Sequence, residues 1–172
     1  MRGSFLVKLM PVALAALAAG CGFRLEGAGA LPPAMARTYL ESEDPRSEFT
    51  ARLVDALRLR GTEIVSSREE ADAILRITED STGQRVLSVT ARNIPREYEV
   101  FYAVTFTLSL EGERVLEPQS LVAVRSYTYD ETRVLGKSAE EAEIRRALAE
   151  DLARQVVRRI EALRTSTQTP GV

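Results

Sequence analysis

The chain has 172 residues, 45% of them hydrophobic and 28% charged, with a formal net charge of −2, no histidine and one cysteine. A lone cysteine excludes an internal disulfide, and the absence of histidine excludes the commonest general base and metal ligand. The slightly acidic balance excludes the strongly basic footprint of a nucleic-acid-binding domain.

Arg2 and Lys8 precede an apolar stretch from Leu9 to Ala19, which ends in Ala18, Ala19 and Gly20 immediately before Cys21. A basic start, a short apolar run and a small-residue site describe an export signal over residues 1–20. The run falls short of the roughly 20 apolar residues that span a bilayer, and Pro11 interrupts it. A cysteine directly after such a site resembles a bacterial lipobox, in which the thiol receives a covalent lipid and becomes the first residue. Ala18 stands where leucine is usual, and Leu17 lies one place further back. Cys21 is therefore expected to be the lipid attachment site, and no other cofactor is implied. Gly22, rather than Asp, follows it, which implies transfer to the outer membrane, facing the periplasm.

Removing residues 1–20 leaves 152 residues, with 21 basic against 25 acidic side chains and a charge of −4. That length supports one domain with a core of its own. Residues 21–35 read as a lipidated tether stiffened by Pro32 and Pro33, residues 36–164 as the domain, and TSTQTPGV (165–172) as a disordered tail.

Within the domain, residues 36–41 form a short strand candidate. Asp44-Pro45 opens a helix that Asp44 or Ser47 can cap, with Phe49, Leu53, Ala56 and Leu57 as its apolar stripe and Gly61 as its stop. A strand region follows over 71–90, where Gly83 suggests a bulge or break, and ARNIPRE (91–97) reads as a loop. From Glu97 to Glu111 the alternation has period two: Tyr98, Val100, Tyr102, Val104, Phe106, Leu108 and Leu110 occupy one side. Such a run is a long strand with one buried face, and its Glu- and Thr-rich side meets water or a polar partner. Phe101, Thr105 and Thr107 on that side are the candidates for contact with a partner. A turn over 111–118 leads to a strand from Leu121 to about Tyr129. Ser138 to Glu141 reads as a capping box for a final helix with Ile144, Leu148, Leu152, Val156, Ile160 and Leu163 along one side. The order is β-α-β-β-β-α, an α+β fold: a two-layer α/β sandwich with a four-stranded mixed sheet and two helices on one face.

No catalytic residues and no metal ligands emerge. Glu69, Glu70, Asp72, Asp80 and Asp130 sit at turns or strand ends, with no spacing that selects a pair for acid–base work, and no Gly-rich phosphate loop follows a strand. Binding or assembly is the expected class of function, and not catalysis.

Several stretches occur together in order: CGFRLEG after the lipobox, LPPAM before a short strand, and DPRSEFTARLVDALRLRG. Then come ARNIPREYEV and VRSYTYDETRVLGKSAEEAEI, which runs into the last helix. This arrangement resembles the LPS-assembly lipoprotein family, also called LptE or rare lipoprotein B. The resemblance implies a protein that plugs and helps assemble a large outer-membrane β-barrel (LptD-like), in a 1:1 complex, and assists delivery of lipopolysaccharide to the outer leaflet. A polar, plugged lumen suits a domain with Glu/Thr and Glu/Arg surfaces. The alternative is an accessory lipoprotein of another envelope lipid-transport machine, without a barrel partner.

If the last three strands are antiparallel neighbours, loops 91–96 and 131–137 emerge from the same end of the sheet, opposite the lipidated N-terminus. That tip carries Arg92, Arg96, Arg133 and Lys137, which become the candidates for binding the phosphates of lipopolysaccharide. Lys137 matches a basic position of the family, whereas Arg92 and Arg96 remain competing candidates for a single contact.

Overall fold

A computed structural model describes residues 30–128 and 134–167, with side chains described over 30–128 and 139–163. Cys21 and Arg133 lie outside the described residues, as do the signal stretch and residues 168–172.

Strand β1 (Arg37–Ser42) leads to helix α1 (Glu48–Arg58). Ser47 caps this helix: its hydroxyl accepts the Thr50 backbone N–H at 3.0 Å and satisfies a donor that the first turn leaves unpaired. Gly61 ends the helical segment at φ +85°, a conformation costly for residues with a Cβ. The Gly61 and Thr62 N–H groups return to the Arg58 and Leu57 carbonyls at 2.9 and 3.2 Å.

The chain then forms β2 (Glu63–Val65), β3 (Ala73–Val89), β4 (Pro95–Leu110), β5 (Glu113–Thr128) and helix α2 (Val134–Thr167). The sheet has five strands in the order β2-β1-β3-β4-β5, one more than expected. β1 is parallel to both β2 and β3, while β3, β4 and β5 are antiparallel neighbours. The added strand β2 pairs only Glu63, Ile64 and Val65 with β1, too short a run to show any periodicity.

Both helices cover one face. Val100, Tyr102, Val104, Phe106 and Leu108 of β4 are buried with Phe49, Leu53 and Leu57 of α1. Ile144, Leu148, Leu152, Val156 and Ile160 of α2 complete that core, while Leu163 is only half-buried. Burial of one face is what period-two alternation on β4 requires, and on the other face only Thr107 is buried as well.

Four local departures have physical causes. The turn between β4 and β5 is only Glu111-Gly112, with φ of 51° and 87°, so β5 starts at Glu113 and not near Leu121. Two positive φ values match the twist of the flanking strands in a two-residue hairpin. Pro118 lies inside β5, which it can do because β5 is an edge strand. Helix α2 begins at Val134, so Ser138 to Glu141 lies inside it and does not cap it; at its other end it reaches Thr167, three residues into the expected tail. Finally, β3 is continuous through Gly83, which pairs with Phe101 in unbroken register between Glu79 and Val86. The register shifts fall instead at Thr78, between Ile77 and Glu79, and near the hairpin, between Val86 and Val89.

Gly83 makes room for a ring. A Cβ there would lie 2.6 Å from the Phe101 Cζ atom, so Phe101 rests on the bare backbone of its cross-strand neighbour. Gly83→Ala should displace the ring and lower stability by about 1 kcal/mol. In a Phe101→Ala background the same substitution should cost little, and urea unfolding of the four members of this cycle measures the coupling. Additive effects would show that the ring is not what selects glycine.

Candidate functional site

Register fixes the two ends of the sheet. The β3–β4 turn is held by the Thr90 N–H on the Ile94 carbonyl at 2.8 Å and the Asn93 N–H on the Thr90 carbonyl at 2.9 Å. The Thr90 hydroxyl accepts the Ile94 N–H at 3.2 Å, and Asn93 takes φ 62°, which asparagine tolerates better than most residues. Arg92 lies in this turn and Arg96 one residue into β4; both are exposed. Thr128, the last residue of β5, pairs with Glu97, so the chain leaves β5 beside this turn and soon starts α2. The backbone at Lys137 lies in the first turns of α2, and its side chain is outside the described set.

The opposite end receives the N-terminus. Thr38 of β1 pairs with Ala73, and Ala73 pairs with Leu110 beside the Glu111-Gly112 turn. The chain from residue 30 therefore enters the sheet far from Arg92 and Arg96. Of the four expected tip residues, Arg92 and Arg96 lie at the end of the sheet opposite the one that the N-terminal segment enters.

The face away from the helices carries the partner-contact candidates. Phe101 is half-buried over Gly83 and pairs in register with Val124, while Ala103 pairs with Val122. Val122 and Val124 are 63% and 51% exposed, forming with Phe101 an apolar strip on this face. The sequence does not single out these two valines, because Leu121, Val122, Ala123 and Val124 are apolar in succession and do not distinguish the two faces. The Thr105 hydroxyl is 2.9 Å from both Glu79 Oε2 and Ser120 Oγ, so it is tied into the sheet. Thr107 is 7% exposed and lies lower on the same face, among arginines.

Of the carboxylates noted in the sequence, Asp72 and Asp80 have structural partners, and Asp130 lies outside the described residues. Arg37 donates to both oxygens of Asp72 at 3.0 Å, and this pairing holds the Asp72 carboxyl below the usual carboxylate range. Asp80 accepts from the Ser47 and Tyr102 hydroxyls. Burial, then the hydrogen bond to Asp80, pushes the Tyr102 hydroxyl well above the usual phenol range, so it remains a donor throughout the ordinary pH range. These contacts join α1, β3 and β4 where Phe49 meets the Tyr102 ring at 6.4 Å. Among the described residues there is no group of three His, Cys, Asp or Glu placed to hold a metal ion, and no helix long and apolar enough to cross a membrane.

The family model described as LptE, lipopolysaccharide-assembly, matches residues 35–160. The chain is 29% identical over 161 residues to the LPS-assembly lipoprotein LptE of Yersinia enterocolitica serotype O:8, covering 93% of this chain and 77% of that protein. It is 27% identical over 153 residues to the protein of the same name from Pectobacterium atrosepticum, covering 88% and 83%. Among solved structures, the rare lipoprotein B from Shewanella oneidensis superposes with a TM-score of 0.67 at 25% identity, over 77% of this chain and 99% of that one. The match spans the strands and both helices, from Met35 before β1 to Ile160 on the buried side of α2, and the chain belongs to the LptE family of lipopolysaccharide-assembly lipoproteins.

Proposed function

We propose that this protein is anchored to the outer membrane through a lipid on Cys21, sits in the lumen of a large outer-membrane β-barrel as its plug and assembly partner, and receives lipopolysaccharide at its basic tip. The observation that carries this reading is the placement of Arg92 and Arg96 at the end of the sheet remote from where the N-terminal segment enters. An anchored domain so arranged holds its cationic loops away from the leaflet that holds its lipid. The N-terminus of α2 adds the positive end of a helix dipole at the tip. The apolar strip of Phe101, Val122 and Val124, set among hydroxyls and charges, suits a barrel wall that is polar but not uniformly so.

Affinity isolation of the tagged, full-length protein from detergent-solubilised outer membranes tests the assembly. A single large barrel protein in near-equal amount is expected. Recovery with an inner-membrane transport machine, and no barrel, would favour the accessory-lipoprotein alternative and overturn this reading.

The anchor is tested separately. Cys21→Ser should abolish acylation and leave residues 1–20 attached, read as a mass increase and loss of acyl-chain labelling. Normal processing of the variant, with unchanged membrane partitioning in cells lacking the barrel partner, would sink the lipoprotein assignment.

A further inference from the structure

A second basic site lies at the other end of the open face. Register places Ile74 beside Ser109 and Arg76 beside Thr107, and Ser109 beside Arg114 of β5. These residues, with Arg68 from the short 3-10 turn Arg68–Glu70, line a cleft of about 250 Å³ next to Gly112. Its lining holds three guanidinium groups and two hydroxyls, and no carboxylate. The nearest acids do not balance the three cations. Glu41 Oε2 is shared, lying 2.8 Å from Arg68 Nη2 and 3.1 Å from Arg76 Nη2. Arg114 reaches only Glu117, at 3.7 Å, and that side chain is 76% exposed.

Glu41 offsets part of the charge of Arg68 and Arg76, and three cations against two acids leave the concavity net positive. Such a concavity attracts an anion, and planar guanidinium forks match the oxygens of a phosphate. The hydroxyls of Thr107 and Ser109 add donors on the cleft floor. Location narrows the source of that anion. The cleft lies at the sheet end where residue 30 leads into β1, within a short tether of Cys21. We propose that this cleft binds the phosphate of an anionic phospholipid headgroup in the leaflet that holds the anchor. The choice of a lipid rests on the anchor reading of Cys21, whereas the preference for a phosphate oxyanion rests on the cleft alone. This site is distinct from the Arg92 tip and gives the domain a second hold on the membrane, fixing its orientation relative to the leaflet.

The test uses the mature chain, residues 21–172, carrying Cys21→Ser so that no acyl chain contributes. One arm titrates inorganic phosphate and follows the arginine side-chain NMR resonances. The other floats the protein with vesicles of phosphatidylcholine, with and without phosphatidylglycerol. Arg76→Gln with Arg114→Gln should lower phosphate affinity by at least about tenfold, the scale of losing charge-assisted hydrogen bonds. It should also remove the extra flotation that phosphatidylglycerol confers. The removed ion pairs are largely exposed, so thermal unfolding should stay near that of the parent. The control, Arg154→Gln with Arg158→Gln on α2, should change neither binding readout.

Equal loss in both variants would reduce the effect to generic attraction and overturn the site. No phosphate binding by the parent chain would overturn it as well. Loss of phosphate binding with undiminished flotation would overturn the lipid as its source and leave a site for a free oxyanion. None of these outcomes depends on the barrel partner, so failure here is distinguishable from failure of the plug assignment.

Discussion

Phe106→Ala should lower the unfolding free energy by about 3–5 kcal/mol, read as a fall in the urea midpoint with little change in slope. Phe106 is fully buried in the C-terminal half of β4, between Ile77 of β3 and Gln119 of β5 in register. Its ring belongs to the core that α1 and α2 close over, so truncation removes apolar burial and leaves a cavity that two helices and a central strand cannot easily collapse into. For a domain whose total stability is of the order of 5–15 kcal/mol, the loss is a large fraction. Phe101→Ala on the opposite face should cost far less, because its ring is half exposed and rests on Gly83 with no helix above it. Similar losses in the two variants would mean that the open face is covered in the isolated protein, contrary to the two-layer arrangement.

The contrast between these phenylalanines is legible in the amino-acid sequence, because β4 is central, long and unbroken, and its two faces carry different chemistry. The course of β3 is not, for a reason visible in its register. Ala73, Leu75 and Ile77 face the core, then the bulge at Thr78 switches parity, so that Glu79 joins the open face and Asp80 the helix side. A strand that changes face midway shows no sustained period in its sequence. Gly83 stands out in the sequence as a break, whereas the void it leaves is filled from the neighbouring strand and its backbone stays regular. The turn expected over 111–118 is only Glu111-Gly112, and its tightness is hidden because glutamate is an unusual first residue for a turn with two positive φ values, and because Pro118 argues against a strand. Ser138 satisfies a capping pattern within a helix that has already started, which a local motif cannot reveal.

The same logic separates the two basic sites. Arg92 and Arg96 share one hairpin, so a meander of antiparallel strands is enough to place them together with the segment leaving β5. Arg68, Arg76 and Arg114 come from three different elements, and only the observed pairing of β3, β4 and β5 brings them to one cleft. Charge counting cannot find them, because the chain as a whole is slightly acidic.

Arg92→Asp combined with Lys137→Asp should weaken lipopolysaccharide binding by roughly tenfold to a hundredfold for each phosphate contact that the pair makes. Stability and co-isolation with the barrel should remain nearly unchanged. Arg92 is exposed in a turn held by hydrogen bonds among Thr90, Asn93 and Ile94 in which the Arg92 side chain takes no part, so reversing its charge leaves that scaffold intact. Lys137 lies near the positive end of α2, where aspartate is the better complement to the helix dipole, so its replacement should not unwind the helix. Binding should also weaken with added salt in the parent and much less so in the variant, because the charges that salt screens are gone. The control reverses Arg154 and Arg158 on the exposed side of α2. Arg154 already pairs with Glu150 at 2.6 Å, so that change costs a few tenths of a kcal/mol in helix stability but touches nothing at the tip. Loss confined to the tip variant supports a site; equal loss in the control would show only attraction between a cationic surface and an anionic lipid. Replacing Arg96 alone then decides which arginine of the hairpin makes the contact, since Arg92 sits in the turn itself and Arg96 on the strand behind it.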